Sequence, residues 1–259
     1  MAIVKSDFPI LERVEFDFLE NEKEFYESEN LEQILPKKLA FVFLGDYVDE
    51  FARIFSATKI TAFQTFSKSY SIYTMNYNGD EIAFCQAPSG ASASCQVLEW
   101  LIVRGVKSVV AVSTVKILNP NLDGAYMLGI RALRDEGTSY HYLQPSRFIE
   151  LDEKVLWAIK QAFLIHGIEY QEVCTWTSDS MSRQSQEMIE YRVEEGCSIT
   201  EMECAALAAC ARFRGVDFGM FFVTKSSLIN MNNYLENSWA NDSYKLLMTL
   251  AFDSLLNII

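Results

Sequence analysis

Five short apolar runs punctuate the chain: Leu39–Leu44 (LAFVFL), Ile82–Cys85 (IAFC), Val109–Ser113 (VVAVS), Ala125–Ile130 (AYMLGI) and Met220–Val223 (MFFV). They are too short for buried helices and lack the polar alternation of a half-exposed strand, so they read as strands covered on both faces. Longer stretches of helical periodicity lie between them. These predict helices over Ser92–Arg104, Asp152–His166, Arg183–Glu195, Met202–Arg214 and Leu246–Ile258. Ser92–Arg104, Asp152–His166 and Met202–Arg214 stop at Gly105, Gly167 and Gly215, a residue type suited to ending a helix. Arg183–Glu195 is polar and reads as half exposed, whereas Met202–Arg214 is rich in Ala and Cys and reads as deeply packed. Strands that need cover on both faces, alternating with helices, make an α/β domain.

No internal repeat and no low-complexity linker divides the chain, so residues 1–259 are read as one domain. Residues 1–37 precede the first strand as an N-terminal arm; its acidic segment Glu20–Glu32 is compatible with a surface helix or an ordered arm. Lys and Arg number 22 against 35 Asp and Glu, a formal charge of −13. Nucleic acid and anionic membranes reward clustered cations, so neither is expected as the main partner. A local basic pocket inside an acidic shell still permits a phosphate-bearing ligand. The start MAIVKSDFPILE carries Lys5 and Asp7 and no apolar core segment, unlike a secretory signal. No stretch approaches the roughly 18 uncharged apolar residues of a membrane span. The six cysteines form no C-x-x-C pair and most sit in apolar runs. Reduced thiols in a cytoplasmic protein, with no metal site, is the expectation.

Glu201-Met202-Glu203 opens the predicted helix Met202–Arg214. Two carboxylates at a helix start complement its dipole, which is a purely structural reading. The almost wholly apolar helix behind them places the pair at the edge of a core instead. A carboxylate there, acceptor-only when ionised, suits a vicinal diol whose two hydroxyls both donate.

The stretch EEGCSITEMECAALAACARFRGV (Glu194–Val216) resembles the nucleoside phosphorylases and their uridine phosphorylase-like branch. RDEGTSYHYLQPSR (Arg134–Arg147) and CTWTSDSMSRQ (Cys174–Gln184) do so too, in matching order, and Ser89–Thr114 fits the family's glycine turn, helix and strand. The resemblance spans roughly residues 38 to 228. It implies a three-layer α/β fold around a twisted, partly closed mixed sheet, and a homo-oligomer, dimer or hexamer. The implied reaction is reversible phosphorolysis of a nucleoside to a free base and a pentose 1-phosphate, through an oxocarbenium-like sugar. Phosphate is then a co-substrate, and no other cofactor and no metal is expected. The resemblance assigns Glu203 to the ribose hydroxyls, Met202 to the face of the sugar and Glu201 to a supporting role. Thr177, Asp179 and Arg183 fall in the loop near the base; Asp179 reads equally as a cap or turn residue, and Arg183 as a first-turn surface residue. Tyr140, His141 and Tyr142 form a wall shared with a neighbouring subunit, although a histidine beside two tyrosines also reads as a packed residue. Thr114, Gly90 and Gly45 fall at phosphate-binding positions.

The sequence departs from that family where the chemistry lies. Ser113-Thr114-Val115-Lys116-Ile117 stands where the family has Gly-Ser/Thr-x-Gly-Ala, so side chains replace bare backbone at the phosphate. Ala111 and Asp49 occupy the positions of the family's phosphate arginines, leaving Lys116 as a partial substitute, a point charge rather than a bidentate fork. Ser226 stands where purine-cleaving members carry the Asp that protonates the departing base. Serine is no general acid near neutral pH. This weighs against purines more than against uridine, so phosphorolysis of a pyrimidine nucleoside with weak phosphate binding is the first reading. A nucleoside-binding relative without turnover and a hydrolytic nucleosidase are the alternatives.

Overall fold

The computed structural model describes residues 6–12, 34–224 and 239–258. In chain order these form β1 (Lys38–Val42), α1 (Tyr47–Ile54), β2 (Thr58–Gln64), β3 (Ser69–Tyr77), β4 (Asp80–Gln86), α2 (Ala91–Val103), β5 (Ser108–Ile117) and β6 (Tyr126–Asp135). There follow the single turn α3 (Ser139–Tyr142), β7 (Phe148–Glu150), α4 (Glu153–Ile165), β8 (Tyr170–Ser178), α5 (Gln186–Glu194), β9 (Cys197–Glu201), α6 (Cys204–Arg214), β10 (Asp217–Thr224) and α7 (Trp239–Leu256).

The strands join in one mixed sheet ordered β10-β6-β8-β9-β5-β1-β4-β3-β2, with β7 on β6. Strand β10 also pairs with β5, so β5, β10, β6, β8 and β9 close on themselves while β1, β4, β3 and β2 extend outward from β5. The sheet is thus partly closed, as the sequence led one to expect. Each of the five apolar runs lies wholly or mostly in a strand, and their residues dominate the core: Leu39 to Val42, Ile82 to Cys85, Val109 to Val112 and Met220 to Phe222 are fully buried.

Helix α4 begins where the Asp152 carboxylate accepts from the Lys154 amide at 2.9 Å, an N-cap that satisfies an otherwise orphaned donor. From Cys204 through Ala211 every residue of α6 is buried. Small side chains let this helix approach both α2 and the sheet closely. Gly219 serves the same purpose in β10: a Cβ there would sit 2.5 Å from Val155 Cγ1 of α4.

Several expectations need correcting. Strands β2, β3, β7, β8 and β9 and helix α1 have no counterpart among the predicted elements: β7 is three residues long, α1 is one short charged stretch, and the other strands interleave apolar residues with Ser, Thr, Tyr or Gln. Helix α6 starts at Cys204 rather than Met202, because Glu201 is the last residue of β9 and Glu203 is the cap. Helix α5 starts at Gln186, capped by the Ser185 hydroxyl, and Arg183 belongs to a separate turn, Met181–Arg183. Helix α7 begins at Trp239, earlier than Leu246. Residues 13–33, with the acidic segment Glu20–Glu32, and Ser226 lie outside the described residues. Among the described residues no helix is long and apolar enough to cross a membrane.

Candidate active site

The closed part of the sheet brings the far end of β5 against the end of β9, with Lys116 opposite Thr200 and Ile117 opposite Ile199. The same stretch of β5 is aligned with the end of β10, Thr114 against Val223. Where these strands run out, a cleft of about 540 Å³ opens, lined by Ser113 to Ile117 of β5, by Thr200 to Glu203, and by Phe43, Ser89 and Met181.

Glu201 and Glu203 hold opposite stations in this wall. Glu201 is buried and accepts four hydrogen bonds. Its Oε1 takes the hydroxyls of Thr175 at 3.0 Å and Thr177 at 2.5 Å. Its Oε2 takes the amides of Glu203 at 2.7 Å and Cys204 at 2.6 Å, two of the free donors at the start of α6. Thr177 in turn accepts from the Ala205 amide at 3.0 Å. Glu201 is therefore the clamp between β8, β9 and α6. Among the described residues Glu203 has two donors, Gly90 N–H at 2.6 Å and Met202 N–H at 3.2 Å. Gly90 turns its amide toward Glu203 from the N-cap of α2 with φ +96°, a conformation that favours glycine.

Burial raises the carboxyls of both residues above their ordinary range. At Glu201 the four donors oppose burial and favour the anion. At Glu203 burial and then the charge of Glu201 push the carboxyl up to about 7. The proton of this pair therefore belongs to Glu203, the member with fewer donors. The Glu203 carboxyl titrates near neutrality, while Lys116 is the one cation among the described residues that line the cleft.

The structure brings Glu201, Met202, Glu203, Thr114 and Lys116 together on the cleft wall, with Gly90 attached through Glu203 and Thr177 through Glu201. Thr177 is fully buried and acts on the clamp. Asp179 lies away from the wall and accepts from the Gly137 amide at 2.8 Å, tying the segments after β6 and β8. Arg183 is exposed in its turn, and Gly45 lies in the turn ahead of α1. Tyr140 donates to the Arg134 carbonyl at 2.9 Å, His141 is exposed, and Tyr142 packs on Phe213, so none of the three lines the cleft. Asp49, at a position discussed for phosphate, accepts instead from the Tyr73 hydroxyl at 2.8 Å.

Sequence reasoning passed over Phe43, Met181, Thr200 and Gln184. The Gln184 amide donates to Thr200 Oγ1 at 2.9 Å and to Met181 sulfur at 3.3 Å, and its buried Oε1 has no partner among the described residues. Met181 and Gln184 stand inside the run Cys174–Gln184, which was the available signal. Nothing in LAFVFL distinguishes Phe43 from the core residues before it.

The sequence profile of the phosphorylase superfamily matches residues 39–244. The chain belongs to this superfamily. Solved structures agree on the fold. A purine nucleoside phosphorylase from Toxoplasma gondii, in complex with immucillin-H, superposes with a TM-score of 0.72 at 15% identity, over 86% of this chain and 92% of that one. An AMP nucleosidase from Bacteroides thetaiotaomicron superposes with 0.71 at 18% identity, over 91% and 96%. A uridine phosphorylase from Vibrio fischeri gives 0.68 at 18% identity, over 86% and 92%. Phosphorylase superfamily membership thus rests on the sequence profile, and the three-layer α/β architecture on the solved structures.

Proposed function

We propose that this phosphorylase superfamily member binds a nucleoside in the cleft and cleaves its N-glycosidic bond with phosphate as acceptor, preferring a pyrimidine such as uridine. The observation that carries this reading is Glu203: a carboxyl on the cleft wall, fixed by two amides and backed by a clamped anion. When ionised it accepts from both ribose hydroxyls, and Met202 lies beside it to meet the sugar face. A phosphate oxygen then forms a bond to C1′ as the C1′–N bond breaks and its electron pair leaves with the base. The anion at Glu203 favours the positive charge that develops on the sugar in between. The Gln184 oxygen, which has no partner among the described residues and belongs to an amide held on the cleft residues Thr200 and Met181, favours a base that offers an imide N–H, as uracil does.

Phosphate is the weak partner in this reading. Thr114 supplies a hydroxyl and Lys116 a single charge, while Val115 and Ile117 add apolar bulk to the same wall. A multiply charged anion loses its hydration there with few fixed donors to replace it. That poverty, with the fold likeness to an AMP nucleosidase, favours hydrolysis as the second reading. Chromatography of base released from uridine, thymidine, inosine and adenosine, with and without phosphate, separates them. The proposal expects slow uracil release that rises with phosphate without saturating at millimolar concentration. Release at the same rate without phosphate, yielding free ribose, supports hydrolysis. No release from any of the four defeats both.

A further inference from the structure

Outside the cleft, Cys174 of β8 and Cys197 of β9 are direct partners across two parallel strands, with their sulfurs 3.8 Å apart. Both are free thiols. They belong to a small apolar cluster with Leu133 and Trp176, separate from the main core. Ile189 of α5 packs on that cluster, and Arg192 is the one buried residue of this otherwise exposed helix. Leu118 and Phe148 complete the cover, and local opening of this exposed helix is the expected route by which a small solute reaches the pair.

We propose that Cys174 and Cys197 form an oxidation site that converts reversibly to a disulfide, with hydrogen peroxide as the oxidant. Arg131 of β6 is opposite Cys174 in register on the neighbouring parallel strand, which sets a cation beside the Cys174 sulfur. The contact from Cys197 and this cation lower the Cys174 thiol against burial and the Glu150 carboxylate, whereas the Cys197 thiol is held protonated. The second thiol pair in the fold, Cys95 with Cys210, has the opposite setting: its neighbours are the carboxylates of Glu136 and Glu99, which oppose a thiolate. Of the six buried cysteines, Cys174 is the one whose thiol is shifted toward the thiolate while a second thiol stands within reach of it.

The reaction runs in two steps. The Cys174 thiolate attacks one peroxide oxygen; an S–O bond forms, the O–O bond breaks, and the departing hydroxide takes up the proton lost by the thiol to give water. The Cys197 sulfur then attacks the Cys174 sulfenic acid as its own proton leaves; the S–S bond forms, the S–O bond breaks, and a second water departs. Two thiols lose two electrons and one peroxide becomes two waters. Thiol reductants reverse the change. The inference is independent of the nucleoside reading, since neither sulfur lines the cleft.

The test treats the reduced, reductant-free protein with hydrogen peroxide, then denatures it in an alkylating reagent and maps the peptides by mass spectrometry. The expected product links the Cys174 and Cys197 peptides, leaves Cys85, Cys95, Cys204 and Cys210 alkylated, and reverts with dithiothreitol. In Cys197→Ser the oxidation stops at a Cys174 sulfenic acid that dimedone captures. Arg131→Gln slows the linkage several-fold, and Arg131→Lys retains most of the rate. Six alkylated cysteines after peroxide, a Cys95–Cys210 linkage instead, or an unchanged rate in Arg131→Gln would overturn the proposal.

Discussion

Glu203 occupies a position that fold and function load differently. Folded Glu203 keeps its proton up to about pH 7, whereas an ordinary glutamate loses it near 4.5. Between those values the folded state binds the extra proton, so this residue's contribution to stability falls as pH rises through the window and is flat above it. The window corresponds to about 3 kcal/mol. Urea unfolding at pH 5 and pH 8 should therefore show Glu203→Gln losing about that much pH dependence relative to the unmodified protein; parallel behaviour would place the proton elsewhere. Thr177 offers a second test. Its hydroxyl donates to Glu201 and accepts from the start of α6, so Thr177→Val leaves a buried carboxylate oxygen short of a donor and a buried amide unpaired. A loss of about 2–4 kcal/mol is expected, with Thr177→Ser costing much less. Equal losses in the two variants, read from denaturant midpoints, would point to packing alone. The family resemblance put Thr177 near the base, and the sequence does not convey that its hydroxyl is spent on Glu201.

At the scale of elements, double burial is what made strands legible. Runs such as LAFVFL and VVAVS are apolar because both faces are covered, and each proved to be a strand of the inner sheet. Strands β2 and β3 extend the sheet outward and are partly exposed, so TKITAFQ and SYSIYTMNY carry no such run. Strands β8 and β9 escaped for another reason: their threonines and glutamate face one another in the carboxylate clamp rather than solvent, which gives YQEVCTWTS and CSITE a polar look although most of their residues are buried. Glycine marked helix ends correctly, but its second use, close approach, was not readable. Gly219 is the case in point. Alanine there meets Val155 Cγ1 at 2.5 Å and Ile159 Cδ1 at 3.1 Å. Gly219→Ala should cost about 1–3 kcal/mol, as overpacking typically does, and much of that should vanish in a Val155→Ala background. Additive losses in the double variant, measured by thermal unfolding, would show that α4 shifts freely.

Over the whole molecule, the order of motifs sufficed for the family, and it picked out Glu203, which the fold sets on the cleft wall. The other expected site residues scatter: Asp179, Arg183, Gly45 and the Tyr140–Tyr142 turn lie off the cleft of one chain. Large apolar side chains stand exposed on the surface, Trp157, Leu164 and Ile165 of α4 among them, a feature that marks protein contacts when contiguous. We predict a homo-oligomer, at least a dimer at micromolar concentration; light scattering that returned a particle of 29.6 kDa would refute this. The central claim, that the cleft reads a nucleoside through the Glu203 carboxyl, is tested most directly by calorimetric titration of uridine and of uracil into the unmodified protein and Glu203→Ala at pH 8. A charged hydrogen bond contributes about 1.5–3 kcal/mol, so the substitution should weaken uridine by about tenfold or more and leave uracil nearly unchanged. Equal weakening of both ligands, or none of either, would contradict the account.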